Sequence, residues 1–200
     1  YDPNGNQTGK TAKDGSERWA YSYDAENQLV RVDRFVPSTA NSSLLTAYYS
    51  YDGLGRRIVK LVNGVATTFL YDGAYILEEE ANGLVRHNVH TRILDEVLGA
   101  SDNLGSVYYL GDALDSVRSV TDVSGGVIGS RSYESFGRPT EGNLQGSSRY
   151  GFIGREFDTE TGLYHIRQRN LDSVHGRFIG RDRFSEHVML RPMSDASSAR

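Results

Sequence analysis

Apolar and polar residues alternate along most of this chain in short runs cut by turn residues. Between Tyr51 and Asp72, Ile58, Lys60 and Val62 alternate with Val59 and Leu61, Asn63-Gly64 follows, and a second run spans Val65 to Leu70. A period of two marks a strand with one buried face. Asn-Gly between two such runs marks a hairpin, because a type I′ turn needs positive φ at both central residues. Ala81-Asn82-Gly83 divides Tyr75–Glu80 from Leu84–Val89 in the same way, and Gly125-Gly126 leads into Val127–Tyr133. In an earlier strand, Trp19, Tyr21 and Tyr23 share one face. Arg92–Gly99 carries apolar residues at helical spacing but is too short for a stable helix, so it reads as strand and loop. Pro37–Ser43 and Glu141–Ser148 read as polar loops, and Ser185–Arg200, which loses the alternation, as a solvated tail.

A dipeptide punctuates these hairpins: Tyr1-Asp2, Tyr23-Asp24, Tyr51-Asp52 and Tyr71-Asp72. Their spacing is that of a supersecondary repeat. In each unit the tyrosine is expected to stack on its neighbour, and the aspartate to accept hydrogen bonds from turn amides. One hairpin alone is marginal in water, whereas stacked hairpins bury a continuous face. The predicted fold is therefore all-β: stacked antiparallel hairpin repeats forming part of a spiralling sheet.

Composition agrees, with 22 glycines and 13 tyrosines in 200 residues. A net charge of −4 gives no reason to expect a nucleic-acid partner. With no cysteine, disulfides and thiolate chemistry are excluded. No apolar run approaches the roughly 20 residues that span a bilayer as a helix. The chain opens inside a repeat motif and reads as a piece of a longer polypeptide.

From Arg149 the texture changes, and arginines interleave with aromatics. The acids Glu156, Asp158, Glu160, Asp172 and Asp182 lie close by in sequence and are the expected partners of those arginines, which points to a packed plug rather than a phosphate-binding face. His87 and His90, three apart on a strand, face opposite ways. The remaining histidines lack ligand spacing, and Gly151–Arg155 lacks the Lys-Ser/Thr of a phosphate loop. No metal or cofactor is expected.

The ordered motifs YDPNGNQT, YDAENQLVRV and YDGLGRRIVK, then Tyr108–Asp122, Arg131–Pro139 and Tyr150–Asp182, resemble the bacterial Rhs/YD-repeat proteins and their Rhs-associated core. The resemblance implies YD-repeat hairpins over 1–107, the core region over 108–184 and a divergent tail over 185–200. It implies a β-sheet shell that encloses or displays a C-terminal toxin or effector, secreted or at the cell surface as part of a larger polypeptide. Its partners would be upstream repeats and C-terminal cargo of the same chain. In the family the core also cuts the chain after itself in the manner of an aspartyl protease; the matching residues here are Arg169 and Asp182. The downstream motif bearing the second aspartate and the scissile bond is absent, with Asp182-Arg183-Phe184 where the family has Asp-Pro-Ile. Such chemistry needs two carboxylates sharing a proton. The expectation is accordingly a non-catalytic shell segment. Self-cleavage, and glycan or cell-surface binding by the tyrosine stripe, stand as alternatives.

Overall fold

The computed structural model describes residues 1–37, 43–93, 95–144 and 148–182. Most of the predicted loop at 37–43 and all of the tail from 185 lie outside the described residues. The described residues form a nearly all-β fold, strands joined by turns. It begins with β1 (Gly9–Thr11), β2 (Arg18–Tyr23), β3 (Leu29–Val36) and β4 (Ser43–Tyr51). The predicted central hairpin is β5 (Arg57–Val62) with β6 (Val65–Asp72), followed by β7 (Tyr75–Ala81) and β8 (Leu84–His90). Next come β9 (Val97–Asp102), β10 (Gly105–Gly111), β11 (Val117–Thr121), β12 (Val127–Tyr133) and β13 (Pro139–Asn143). These 13 strands form one antiparallel meander in sequence order. A second sheet holds β14 (Glu156–Asp158), β15 (Leu163–Ile166), β16 (Arg169–Asp172) and β17 (Arg177–Phe178), also in sequence order.

The Asn-Gly turns form as the pattern demands. Asn63 and Gly64 both take positive φ between the paired Val62 and Val65, as do Asn82 and Gly83 between Ala81 and Leu84. Arg92–Gly99 divides into a turn and the start of β9. Of the predicted loop Glu141–Ser148, residues 145–147 lie outside the described residues, and its first part differs from that reading. Glu141–Asn143 belong to β13, an edge strand held by its backbone to β12, and Leu144 is buried in the core. Polar side chains on an edge strand point to water and hide the pairing from a periodicity test.

The Tyr-Asp dipeptide makes a recurring joint. At Tyr23-Asp24 and Tyr51-Asp52 the aspartate Oδ1 accepts from the amides of the second and fourth residues after it, Asp24 from Glu26 and Gln28 and Asp52 from Leu54 and Arg56. Asp112 and Asp122, which follow Gly111 and Thr121, cap the same turn with Leu114 and Ser116 and with Ser124 and Gly126. The third residue after each aspartate takes positive φ, which suits Gly55 and Gly125 and is tolerated by Asn27 and Asp115. At Tyr23, Tyr51 and Tyr71 the dipeptide's tyrosine sits at a register shift. Its hydroxyl donates to a backbone carbonyl of the previous repeat: Tyr23 to Gln7, Tyr51 to Leu29, Tyr71 to Arg57. Tyr133, before the turn at Glu134, donates to Val117 in the same way. The rings do not stack on one another as the sequence suggested. They lie on alternate strands about 10 Å apart, too far for ring contact but within a phenol's reach of the neighbouring backbone.

Removing one such hydroxyl, as in Tyr51→Phe, is expected to cost about 1 kcal/mol. Asp52→Ala, which orphans two turn amides and the Arg56 ion pair at 2.7 Å, is expected to cost about 2 kcal/mol in urea unfolding. Equal stability of both variants with the parent would refute the joint as a stabilising element.

Two apolar clusters form the core. Tyr21, Leu29, Val32, Ala47 and Tyr49 of the large sheet pack with Leu163 of the small one and with Ile179, which follows its last strand. Val97, Ala100, Tyr109, Val117 and Val120 pack with Leu144 and Tyr150. The small sheet is thus a plug seated on one face of the large sheet, and the outer face keeps Leu70, Val89 and Tyr108 exposed.

Candidate functional site: the charged seam between sheet and plug

The seam is built by an exchange of charge. Arg57, at the start of β5, is fully buried, with Nη2 2.7 Å from Glu156 Oε2 and bonds to both oxygens of Asp158. Lys60, three residues further along β5, reaches Asp158 at 3.0 Å and Glu160 at 2.9 Å. Lys10 of β1 binds Asp172 at 2.9 Å. In the opposite direction, plug Arg149 pairs with Glu79 of β7, and Arg155 with Asp95 in the β8–β9 turn. The sequence suggested that the plug's arginines pair with the plug's own acids. Instead the large sheet's cations take Glu156, Asp158, Glu160 and Asp172, while its acids take Arg149 and Arg155. The pairs join residues some 60 to 160 positions apart, which no local pattern encodes.

Electrostatics follow from this burial. Burial alone would raise the Asp158 carboxyl, but Arg57 and Lys60 outweigh it and hold the group far below the usual carboxylate range. Glu156 is likewise held low, against its burial, by Arg57, His165 and Arg149. His165 is buried beside the same guanidinium; burial first and Arg57 second bring it down to about 4, so it is neutral at pH 7. Arg57, Lys60, Glu79 and Asp95 went unrecognised in the sequence. The one legible signal was Lys60, a charge among apolar residues in an alternating strand.

The chain leaving the plug is held at the first repeat. The Ile179 carbonyl accepts from the Gln7 amide at 2.8 Å and the Tyr23 hydroxyl at 3.0 Å. The Arg181 amide donates to the Oδ1 of fully buried Asn6 at 2.8 Å. Just beyond, Arg169 and Asp182 meet at 3.2 Å, with the Arg169 guanidinium over the Phe178 ring. The sequence-matched pair is therefore brought together, but at the partly exposed end of the plug rather than in the buried seam.

His87 is exposed beside Glu78, whereas His90 is half-buried and bonds the Ile76 carbonyl. Among the described residues no three His, Asp or Glu side chains are grouped to hold a metal ion. No helix of the described residues is long and apolar enough to cross a membrane.

A meander punctuated by Tyr-Asp joints and carrying a plug on one face defines a segment of a YD-repeat β-shell, a structural element. The chain belongs to the Teneurin YD-shell family, whose model matches residues 6–197, and it is a protein of the Rhs/YD-repeat type. It is 30% identical over 188 residues to the tRNA3(Ser)-specific nuclease WapA of Bacillus spizizenii, covering 91% of this chain and 8% of that protein. Identity and coverage are the same for the tRNA(Glu)-specific nuclease WapA of Bacillus subtilis subsp. natto. Those names describe proteins of which the chain spans less than a tenth. Among solved structures, it superposes on a TccC3 variant of the Photorhabdus luminescens Tc holotoxin pore with a TM-score of 0.66 at 17% identity, covering 90% of this chain and 9% of that one. For the TcdB2–TccC3–Cdc42 structure the values are 0.64, 20%, 91% and 9%. At that identity these structures show the shared fold.

Proposed function

We propose that this segment closes part of a shell that encloses or displays a C-terminal toxin or effector polypeptide, within a larger secreted or cell-surface protein, and that it performs no catalysis of its own. The observation that carries this reading is the seam: a plug fixed to the sheet by buried, reciprocal ion pairs, with the outgoing chain strapped to Asn6, Gln7 and Tyr23. The test is protection. In the polypeptide that carries this segment, added trypsin should spare the enclosed toxin or effector, and Arg57→Met, which unseats the plug, should expose it. Equal digestion of both would reject enclosure.

A second reading rests on the Arg169–Asp182 pair, which lies where the outgoing chain leaves the strap. Self-cleavage there needs a second carboxylate to share the proton. The chain carrying a C-terminal tag is expected to keep its full mass, with Asp182→Asn indistinguishable from the parent. A shortened product that Asp182→Asn restores to full length would establish the protease.

A further inference from the structure

A cleft of about 280 Å³ opens between the Leu54–Gly55 turn, the Gly73–Ala74 turn and the tip of the β15–β16 hairpin. Leu54, Tyr71 and the glycine backbone wall it, and Arg56, Arg155 and Arg167 supply its cations. Arg56 is already engaged by Asp52 and by the Gly73 carbonyl. Arg155 and Arg167 are different, because both direct Nη2 at the one carboxylate of Asp95. The lining acid Glu156 is bound to Arg57. Two guanidinium groups thus share one negative charge, and their remaining N–H groups form a fork suited to an oxyanion. The floor includes buried His165. A mostly apolar concavity with a few converging polar groups is the usual form of a small-molecule site.

We propose that this cleft binds a small organic oxyanion, a carboxylate or phosphate on a flat apolar body, with Arg155 and Arg167 taking the charge and Leu54 and Tyr71 the body. Asp95 offsets one of the two positive charges, which leaves the site matched to a single anionic group. A ligand there touches both the large sheet and the plug, and holds them together.

Isothermal titration of the 200-residue chain with phenyl phosphate, benzoate and inorganic phosphate tests this. Saturable binding of phenyl phosphate or benzoate is expected, and whichever binds more tightly identifies the oxyanion. Inorganic phosphate should bind at least about tenfold more weakly, because it lacks the apolar body. Arg167→Asn keeps a residue that tolerates the positive φ of the turn and should weaken binding about tenfold or more. Leu54→Glu, at an exposed turn position, should do the same by repulsion. Arg138→Gln, whose partner is Glu134, should leave binding unchanged. The proposal is overturned by failure of both organic anions to bind, by equal binding of inorganic phosphate, or by binding that neither Arg167→Asn nor Leu54→Glu weakens.

Discussion

Replacing Arg57 by methionine is expected to destabilise the chain by about 3–5 kcal/mol, the usual penalty for breaking a buried ion pair from one side. The loss is large because of what remains. Glu156 and Asp158 are buried, and without the guanidinium they face one another with only Lys60 and Arg149 for compensation. Arg57→Lys keeps the charge but not the planar fork that serves two carboxylates, so an intermediate loss is expected. Combining Arg57→Met with Glu156→Gln and Asp158→Asn should recover part of the loss, since most of it comes from orphaned charge. Urea unfolding of the four proteins decides the matter. A loss below about 1 kcal/mol for Arg57→Met would mean that apolar packing alone seats the plug.

Acid is expected to loosen the fold before the buried carboxylates Glu156 and Asp158 titrate. The folded-state pKa of His165 is about 4 against an ordinary value of 6.5, with Arg57, Glu156 and Asp158 as its charged neighbours. Between those values the unfolded chain binds a proton that the folded chain refuses, so stability falls as the pH drops from about 6.5 to about 4 and levels off below. At about 1.4 kcal/mol for each pH unit, the full effect is about 3 kcal/mol. His90, lowered by burial, acts in the same direction. Glu156 and Asp158 have depressed folded-state values, so the stability they contribute is lost only at lower pH. Urea unfolding at pH 7, 5.5 and 4.5 should show the decline, and His165→Asn should flatten most of it. A parent protein equally stable at all three values would rule out a buried neutral histidine.

The repeats were readable because their determinants are local. Asn63-Gly64 and Asn82-Gly83 specify their hairpins through φ alone, and Asp24 or Asp52 caps a turn formed by the next four residues. The role of the tyrosine was only half readable. Its place at each strand end follows from the dipeptide, but its hydroxyl bonds a carbonyl some 14 to 22 residues back, so the contact depends on register. β13 was missed because an edge strand with exposed side chains carries no apolar signature.

The functional seam lay further from view. The plug's arginines and acids are neighbours in sequence, and nothing in their spacing says whether they pair with one another or with a distant wall. Arg169–Asp182 shows the local answer and Arg57–Asp158 the remote one. By itself, the sequence determined that this protein is a run of antiparallel hairpins turned by Asn-Gly and punctuated by Tyr-Asp, because turn geometry and strand alternation act within a few residues. Only the tertiary structure decided which face the plug covers and which cation meets which carboxylate. Those choices depend on how curved sheet and plug bring residues about a hundred positions apart within hydrogen-bonding distance in a dry interior.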